Sequence, residues 1–109
     1  MTDKLSELAK SLINDNEIYI SAIVRLELQY LYEIKRITHK PDTIINELSK
    51  QIGLQICNKS FNQIISVSLA INWTRDPFDR IITANAQIGN DILLSKDENI
   101  RNNYAHAKW

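Results

Sequence analysis

Apolar side chains occur along the chain either at helical spacing or in short continuous runs, and these two patterns predict the secondary structure. In residues 3–14 they recur at spacings of three and four, which is typical of an amphipathic helix: Leu5, Leu8, Ala9, Leu12 and Ile13. Capping residues and spacing predict further helices over residues 22–37, from Pro41 or Asp42 to 52, over 60–71 and 77–88, and one after Ser95. The expected N-caps are Asp3 or Thr2, Ser21, Ser60 or Asn62, Asp76 and Ser95.

Short apolar runs between these helices predict strands. They are IYISA (18–22), LQIC (54–57) and DILLS (91–95). Gly53 and Gly89 each follow a helix, and we expect both to take the left-handed conformation that ends it. Helices that alternate with short strands predict an α/β fold, with a mainly parallel sheet covered on both faces. Such sheets bind ligands beyond the carboxyl ends of their strands, so the residues after each run are candidate site residues.

Composition narrows the class of protein. The chain has 109 residues, which we expect to form one domain, and 13 basic residues balance 13 acidic ones. Zero net charge argues against binding nucleic acid through bulk positive charge. The single Cys57 has no partner for a disulfide, and no run approaches the roughly 20 apolar residues of a membrane span. We therefore expect a soluble cytoplasmic protein with no membrane partner.

Glu27 is the first candidate acid, one turn into the helix that follows IYISA. Positions 23, 27, 30 and 34 share one helical face, and the other three are Ile23, Tyr30 and Ile34. Burying a lone carboxylate is costly, so Glu27 is expected either to form an ion pair or to bind a cation. The spacing does not decide between the two.

The segment Arg75-Asp76-Pro77-Phe78-Asp79-Arg80 is the sharpest local motif. Asp76 suits the N-cap and Pro77 the first helical position, so a capping role explains Asp76. Asp79 is not needed as a cap and begins the buried side of a helix. We therefore expect Asp79 to bind a cation or a phosphate.

Asp97 comes directly after the strand DILLS. Ser95 and Glu98 match a capping box in which Ser95 is the N-cap, and this box leaves Asp97 without a capping duty. Asp97 is therefore expected to point toward a site. Together, Glu27, Asp79 and Asp97 supply hard oxygen ligands that suit Mg²⁺ or Mn²⁺. Arg80 and Lys96 lie beside these acids in the sequence and are candidate contacts to a phosphate backbone.

The stretch from Trp73 to Trp109 resembles the C-terminal half of PIN domains, including VapC-like toxins of toxin–antitoxin pairs. The resemblance rests on DPFDR opening a helix, the turn Ala84-Asn85-Ala86, a glycine, and a strand that ends in LSKD. The run ISAIVRLELQYL (residues 20–31) resembles the family's second motif, in which a helix bears a glutamate.

The resemblance implies a three-layer α/β sandwich and a metal-dependent endoribonuclease. It implies that Glu27, Asp79 and Asp97 are the acids of the Mg²⁺ or Mn²⁺ site, that Asp76 supports them, and that the Ser95 hydroxyl lines the pocket. RNA would be the substrate, an antitoxin protein a partner, and a homodimer the assembly. The alternative is a catalytically inactive PIN-fold module that binds protein or RNA; nothing in the sequence favours a small-molecule pocket.

The beginning of the chain departs from the family pattern. PIN domains begin with a strand that ends in an aspartate, whereas this chain begins with MTDKLSELAK. Asp3 has no apolar strand before it. We therefore expect an N-terminally truncated domain over residues 1–109, which lacks the first strand and its aspartate.

Overall fold

The computed structural model describes residues 5–109, so the predicted caps Thr2 and Asp3 lie outside the described residues. Contacts divide the chain into two compact units, and each has its own parallel pair of strands. One unit comprises Glu17–Asn58, and the other comprises the described residues up to Asn16 together with Lys59–Trp109.

Helices alternate with short strands along the described part of the chain. The elements, in order, are α1 (Glu7–Asp15), β1 (Tyr19–Ile20), α2 (Ile23–Glu33), α3 (Pro41–Ile52), β2 (Gln55–Ile56), α4 (Phe61–Ser68), α5 (Pro77–Ile88), β3 (Leu93–Leu94), α6 (Glu98–Asn103) and β4 (Ala107–Lys108). The predicted α/β class is confirmed, because both strand pairs are parallel. The strand β4 was not predicted. The three-layer arrangement stays a prediction.

In the unit Glu17–Asn58, β1 pairs with β2 in parallel. Gln55 N–H donates to Ile18 O at 2.9 Å and Cys57 N–H donates to Ile20 O at 2.8 Å, which fixes the register. Gly53 ends α3 with φ 71°, so the predicted left-handed position is confirmed there. The apolar residues Ile45 and Leu54 are buried.

The helix α2 departs from its prediction at both ends. Ser21 is not a side-chain cap, because Ala22 already has helical backbone angles and it is the Ser21 carbonyl that accepts from Val24 N–H. The helix ends at Glu33 rather than at residue 37. Lys35 takes the left-handed conformation with φ 63°, and Arg36 N–H donates a hydrogen bond to Leu31 O at 2.8 Å. These bonds satisfy the last carbonyls and stop the helix early.

The other unit packs two groups of buried apolar side chains around α5. Ala84 lies with Ile64 and Ile71 on one side. Ala86 lies with residues from the C-terminal elements on the other: Ile100, Tyr104 and Ala107. Trp73 is packed against both groups, so the segment that leads into α5 is fixed to the core on which α5 rests.

The end of α5 differs from the prediction. Gly89 has φ −101°, and the left-handed residue is Asn90, with φ 52°. Asparagine tolerates this conformation better than most residues, so the chain turns one position later than expected. Lys59 supports the turn: its Nζ donates to Asn85 O at 2.7 Å and is ion-paired with Asp91.

A separate finding concerns membranes. Within residues 5–109, no helix has both the length and the apolar character that crossing a bilayer would require.

Candidate functional site

The first turn of α5 positions two aspartates. Asp76 is its N-cap, and Oδ1 of Asp76 accepts from Phe78 N–H at 2.8 Å and from Asp79 N–H at 3.3 Å. Pro77 occupies the first turn, where its missing N–H is not needed. The capping role predicted for Asp76 is confirmed. Because this cap fixes the backbone of the first turn, it also fixes the position of the Asp79 backbone, from which the side chain extends.

The Asp79 carboxyl group is half-buried, and two other aspartates act on its charge. Burial raises its pKa above the ordinary value for aspartate, and the negative charges of Asp76 and Asp97 raise it further. No residue from 5 to 109 donates a hydrogen bond to this carboxylate or forms an ion pair with it. Its environment therefore disfavours negative charge, and a cation brought to this point would relieve that.

Asp97 is placed by the first turn of α6, and its capping role corrects the sequence prediction. Asp97 is the N-cap, with Oδ1 accepting from Ile100 N–H at 3.0 Å. Ser95, predicted to be that cap, instead accepts from Asp97 N–H at 3.1 Å. A cap at Ser95 would start the helix at residue 96, whereas α6 begins two residues later, at Glu98, so this prediction was wrong. Since only Oδ1 serves the cap, the Oδ2 atom of Asp97 remains available to a ligand.

Hydrogen bonds tie the segment before α5 to both helix starts. Arg80 Nε donates to Thr74 O at 2.8 Å, and Asn99 Nδ2 donates to Trp73 O at 3.4 Å. Arg80 follows Asp79 directly, yet it forms no ion pair with any described carboxylate. The Arg80 guanidinium is thus held through Nε. Its two terminal nitrogens donate to no residue from 5 to 109, so their N–H groups can donate to another acceptor.

The negative charges of Asp76 and Asp97 both act on the Asp79 carboxyl, and we call these three aspartates the aspartate cluster. Among the described residues, no three or more His, Cys, Asp or Glu side chains lie close enough together to hold one metal ion. The donor chemistry nevertheless fits Mg²⁺ or Mn²⁺. These hard ions take oxygen ligands, and Mg²⁺ commonly keeps several waters and uses only one or two carboxylates. Asp79 and Asp97 supply two carboxylates of this kind, and their role as metal ligands stays a prediction.

Glu27 lies on α2, in the unit Glu17–Asn58, and is half-buried. The face on which it was placed is less buried than the sequence suggested, because Tyr30 and Ile34 are exposed and α2 contains no fully buried residue. Burial alone therefore does not require Glu27 to bind a cation. Its role as a metal ligand stays a prediction based on resemblance.

A groove in the same unit contains none of the predicted site residues. It has a volume of about 480 Å³ and lies along the first turns of α2 and α3. Arg25 and Asp42, which both line it, form an ion pair at 3.1 Å. Because these charges already satisfy each other, the groove is not a second candidate metal site.

Comparison with known proteins identifies the family. Searches of curated proteins and of solved structures found no significant match. The family model of the PIN domain matches residues 2–105, and PIN domains are in general nucleases that require a divalent metal ion. The match spans nearly the whole chain and includes both units. This chain belongs to the PIN domain family.

Proposed function

We propose that this protein is a Mg²⁺- or Mn²⁺-dependent endoribonuclease. One observation carries the proposal: in a chain that matches the PIN domain family, the first turn of α5 holds the half-buried Asp79 with no basic side chain of residues 5–109 paired to it. Burial and the charges of Asp76 and Asp97 also raise the pKa of the Asp79 carboxyl. The negative charge of such a site is unfavourable in the folded protein, and a bound divalent cation would offset it. Perturbed carboxylates of this kind cluster at functional sites.

The residues take different parts in the proposed reaction. Asp79 and Oδ2 of Asp97 would hold the ion, with Glu27 as a third ligand on the ground of sequence resemblance. The ion supplies activation of water and neutralisation of charge at the phosphate. Asp76 fixes the first turn of α5 and adds negative charge to the cluster. Ser95 supports the backbone of Asp97, and the free nitrogens of Arg80 would bind a phosphate oxygen of RNA.

Ribonuclease activity is tested with purified protein, RNA and Mn²⁺. We expect cleavage that a chelator abolishes, and a loss on the order of 100-fold or more in Asp79→Asn and Asp97→Asn, as when a principal electrostatic group is removed. Asparagine is itself a good N-cap, so Asp97→Asn removes the charge and preserves the start of α6. The matched control is Glu98→Gln, which neutralises the adjacent exposed carboxylate.

Two outcomes contradict the proposal. Wild-type protein that is folded and binds no Mn²⁺ in calorimetry excludes the metal site. Protein that binds Mn²⁺ and leaves RNA intact supports the second candidate, an inactive PIN-fold module that binds protein or RNA. That candidate is favoured by one observation, namely that the described residues contain no group of three metal-ligating side chains.

We further propose that the chain acts as the toxin of a toxin–antitoxin pair in the cytoplasm. The proposal rests on the resemblance of the DPFDR-to-SKD block to VapC-like toxins. An antitoxin protein would be its partner, and a homodimer its assembly. Expression in a bacterial host should arrest growth, and Asp79→Asn should abolish the arrest at equal protein level. Growth that continues with active, soluble wild-type ribonuclease excludes the toxin role, and sedimentation tests the homodimer.

A further inference from the structure

Thr83 lies one helical turn after Asp79 on α5. Residues four apart on an α-helix share a face, with Cβ atoms about 5–6 Å apart. Side chains also lean toward the helix N-terminus, so the Thr83 side chain leans toward the position of Asp79. Thr83 is therefore the polar residue on the Asp79 face of α5, one turn toward the C-terminal end of the helix.

The Thr83 hydroxyl is buried and unsatisfied. The residue has 0% relative exposure, and its Oγ1 has no hydrogen-bond partner among the described residues. Its neighbours Ala84 and Ala86 pack in the two apolar groups around α5. Valine has nearly the same shape and carries no polar group, so it would fit such a position without the cost of an unpaired hydroxyl. A buried hydroxyl at this position is therefore expected to have a hydrogen-bond partner in the functional state.

From this placement we propose that Thr83 is a positioning residue for the metal-binding carboxylate of Asp79. Its hydroxyl donates a hydrogen bond to a carboxylate oxygen of Asp79, directly or through one water, when the ion is bound. Carboxylates that bind metals are themselves held by hydrogen bonds, and these bonds orient them toward the ion. The inference rests on the proposed metal site and adds to it a residue outside the family pattern quoted above.

The competing explanation is a bond within the helix. A threonine hydroxyl often bonds to the carbonyl four residues earlier, which here is Asp79 O. The structure shows neither this bond nor one to the Asp79 carboxylate, so the experiment decides between them. The two explanations differ in what they predict: a bond to the Asp79 carbonyl affects the stability of the helix alone, whereas a bond to the carboxylate also affects metal affinity.

Calorimetric titration with Mn²⁺ at pH 7.5, together with urea unfolding of the metal-free protein, tests the proposal. Thr83→Val should weaken Mn²⁺ binding about tenfold, as is typical when a supporting hydrogen bond to a ligand is lost. Its metal-free urea midpoint should equal or exceed that of the wild type. Thr83→Ser keeps the hydroxyl and loses a methyl group, so it should lower the midpoint and leave Mn²⁺ affinity within about twofold of wild type.

A matched control is Ser68→Ala. Ser68 is also buried, but its hydroxyl donates to Ile65 O at 2.7 Å, so its removal should affect stability and leave Mn²⁺ affinity unchanged. Equal Mn²⁺ affinity in wild type and Thr83→Val overturns the inference while the proposed function stands. Wild-type protein that binds no Mn²⁺ overturns the proposed metal site and this inference with it.

Discussion

At the scale of one residue, the charge on Asp79 affects both the stability of the folded chain and the proposed binding of a metal ion. Its raised pKa means that the folded chain favours the neutral carboxyl. The stability associated with this group is fully present below the ordinary aspartate pKa of about 3.9, and it is lost as pH rises through the higher folded-state pKa. Above that range, the metal-free protein carries an unfavourable charge at position 79.

The first prediction is therefore that Asp79→Asn stabilises the metal-free protein at pH 7.5 while abolishing Mn²⁺ binding. Asparagine keeps the shape and removes the charge. Urea unfolding with a chelator should give a higher midpoint for the variant, and the difference should shrink as pH falls toward 4. A variant that is less stable than wild type at pH 7.5 would show that a favourable contact of the carboxylate outweighs its repulsion.

Tyr104 provides a second pH-dependent prediction. Its hydroxyl donates to Asp91 O at 2.6 Å, and burial raises its pKa, with a smaller contribution from the charge of Asp91. Its stabilising effect is full below the ordinary tyrosine pKa of about 10 and is lost as pH rises through the folded-state value. Tyr104→Phe should cost about 1 kcal/mol at pH 7.5 through the lost hydrogen bond.

Above about pH 10 the cost of this substitution should become smaller, because phenylalanine has no proton to lose. Urea unfolding of both proteins between pH 7.5 and 11 measures the trend. Tyr104→Phe that loses the same stability at every pH would show that the hydroxyl does not titrate within this range.

At the scale of elements, Lys59, which lies just before α4, is bonded to the end of α5. Lys59→Met keeps the apolar stem and removes the ammonium group, which donates to Asn85 O and pairs with Asp91. Because Asp91 is half-exposed, we expect a loss of about 1–2 kcal/mol, at the lower end of the range for hydrogen bonds to charged groups. Urea unfolding measures it, with the exposed Lys50→Met as the control. Equal losses in the two variants would show that Lys59 contributes only through its stem.

Elements with strong local signals were predicted well. Pro41 and Gly53 bound α3, and Asp76 with Pro77 opens α5, because each of these residues has a conformational preference that acts without tertiary contacts. The early end of α2 was missed, because Lys35 in a left-handed conformation gives no such signal in the sequence. β4 was missed because its two residues become a strand only by pairing with β3.

The helix α6 shows how a correct motif can be assigned to the wrong residue. Ser95 and Glu98 fit a capping box, yet Asp97 caps the helix and Ser95 supports Asp97. Serine and aspartate are about equally good caps, so the two starting points differ little in local free energy. The strand β3 and the packing of Ile100 then decide between them, and the sequence pattern does not contain that information.

For the whole molecule, Asp97 directly follows β3 as predicted, whereas α5, which carries Asp79, follows α4 and a loop. The negative charge of Asp97 acts on the Asp79 carboxyl, but the assignment of both residues as metal ligands stays a prediction. Thr83 was overlooked, although its spacing of four from Asp79 was visible. The spacing indicates a shared face, whereas the unsatisfied hydroxyl is apparent only from the packing around α5. The assignment of Glu27 as a ligand stays a prediction.

Hydrogen exchange with and without Mn²⁺ can test all three predicted ligands in one experiment. An ion present at 100 times its Kd stabilises the bound state by about 2.7 kcal/mol, which slows exchange about 100-fold wherever opening releases the ion. We expect this protection at the first turns of α5 and α6, which carry Asp79 and Asp97. If Glu27 is also a ligand, α2 should gain comparable protection, and Glu27→Gln should abolish that gain. Protection that reaches α5 and α6 but never α2 would remove Glu27 from the site and leave a metal centre built on two aspartates.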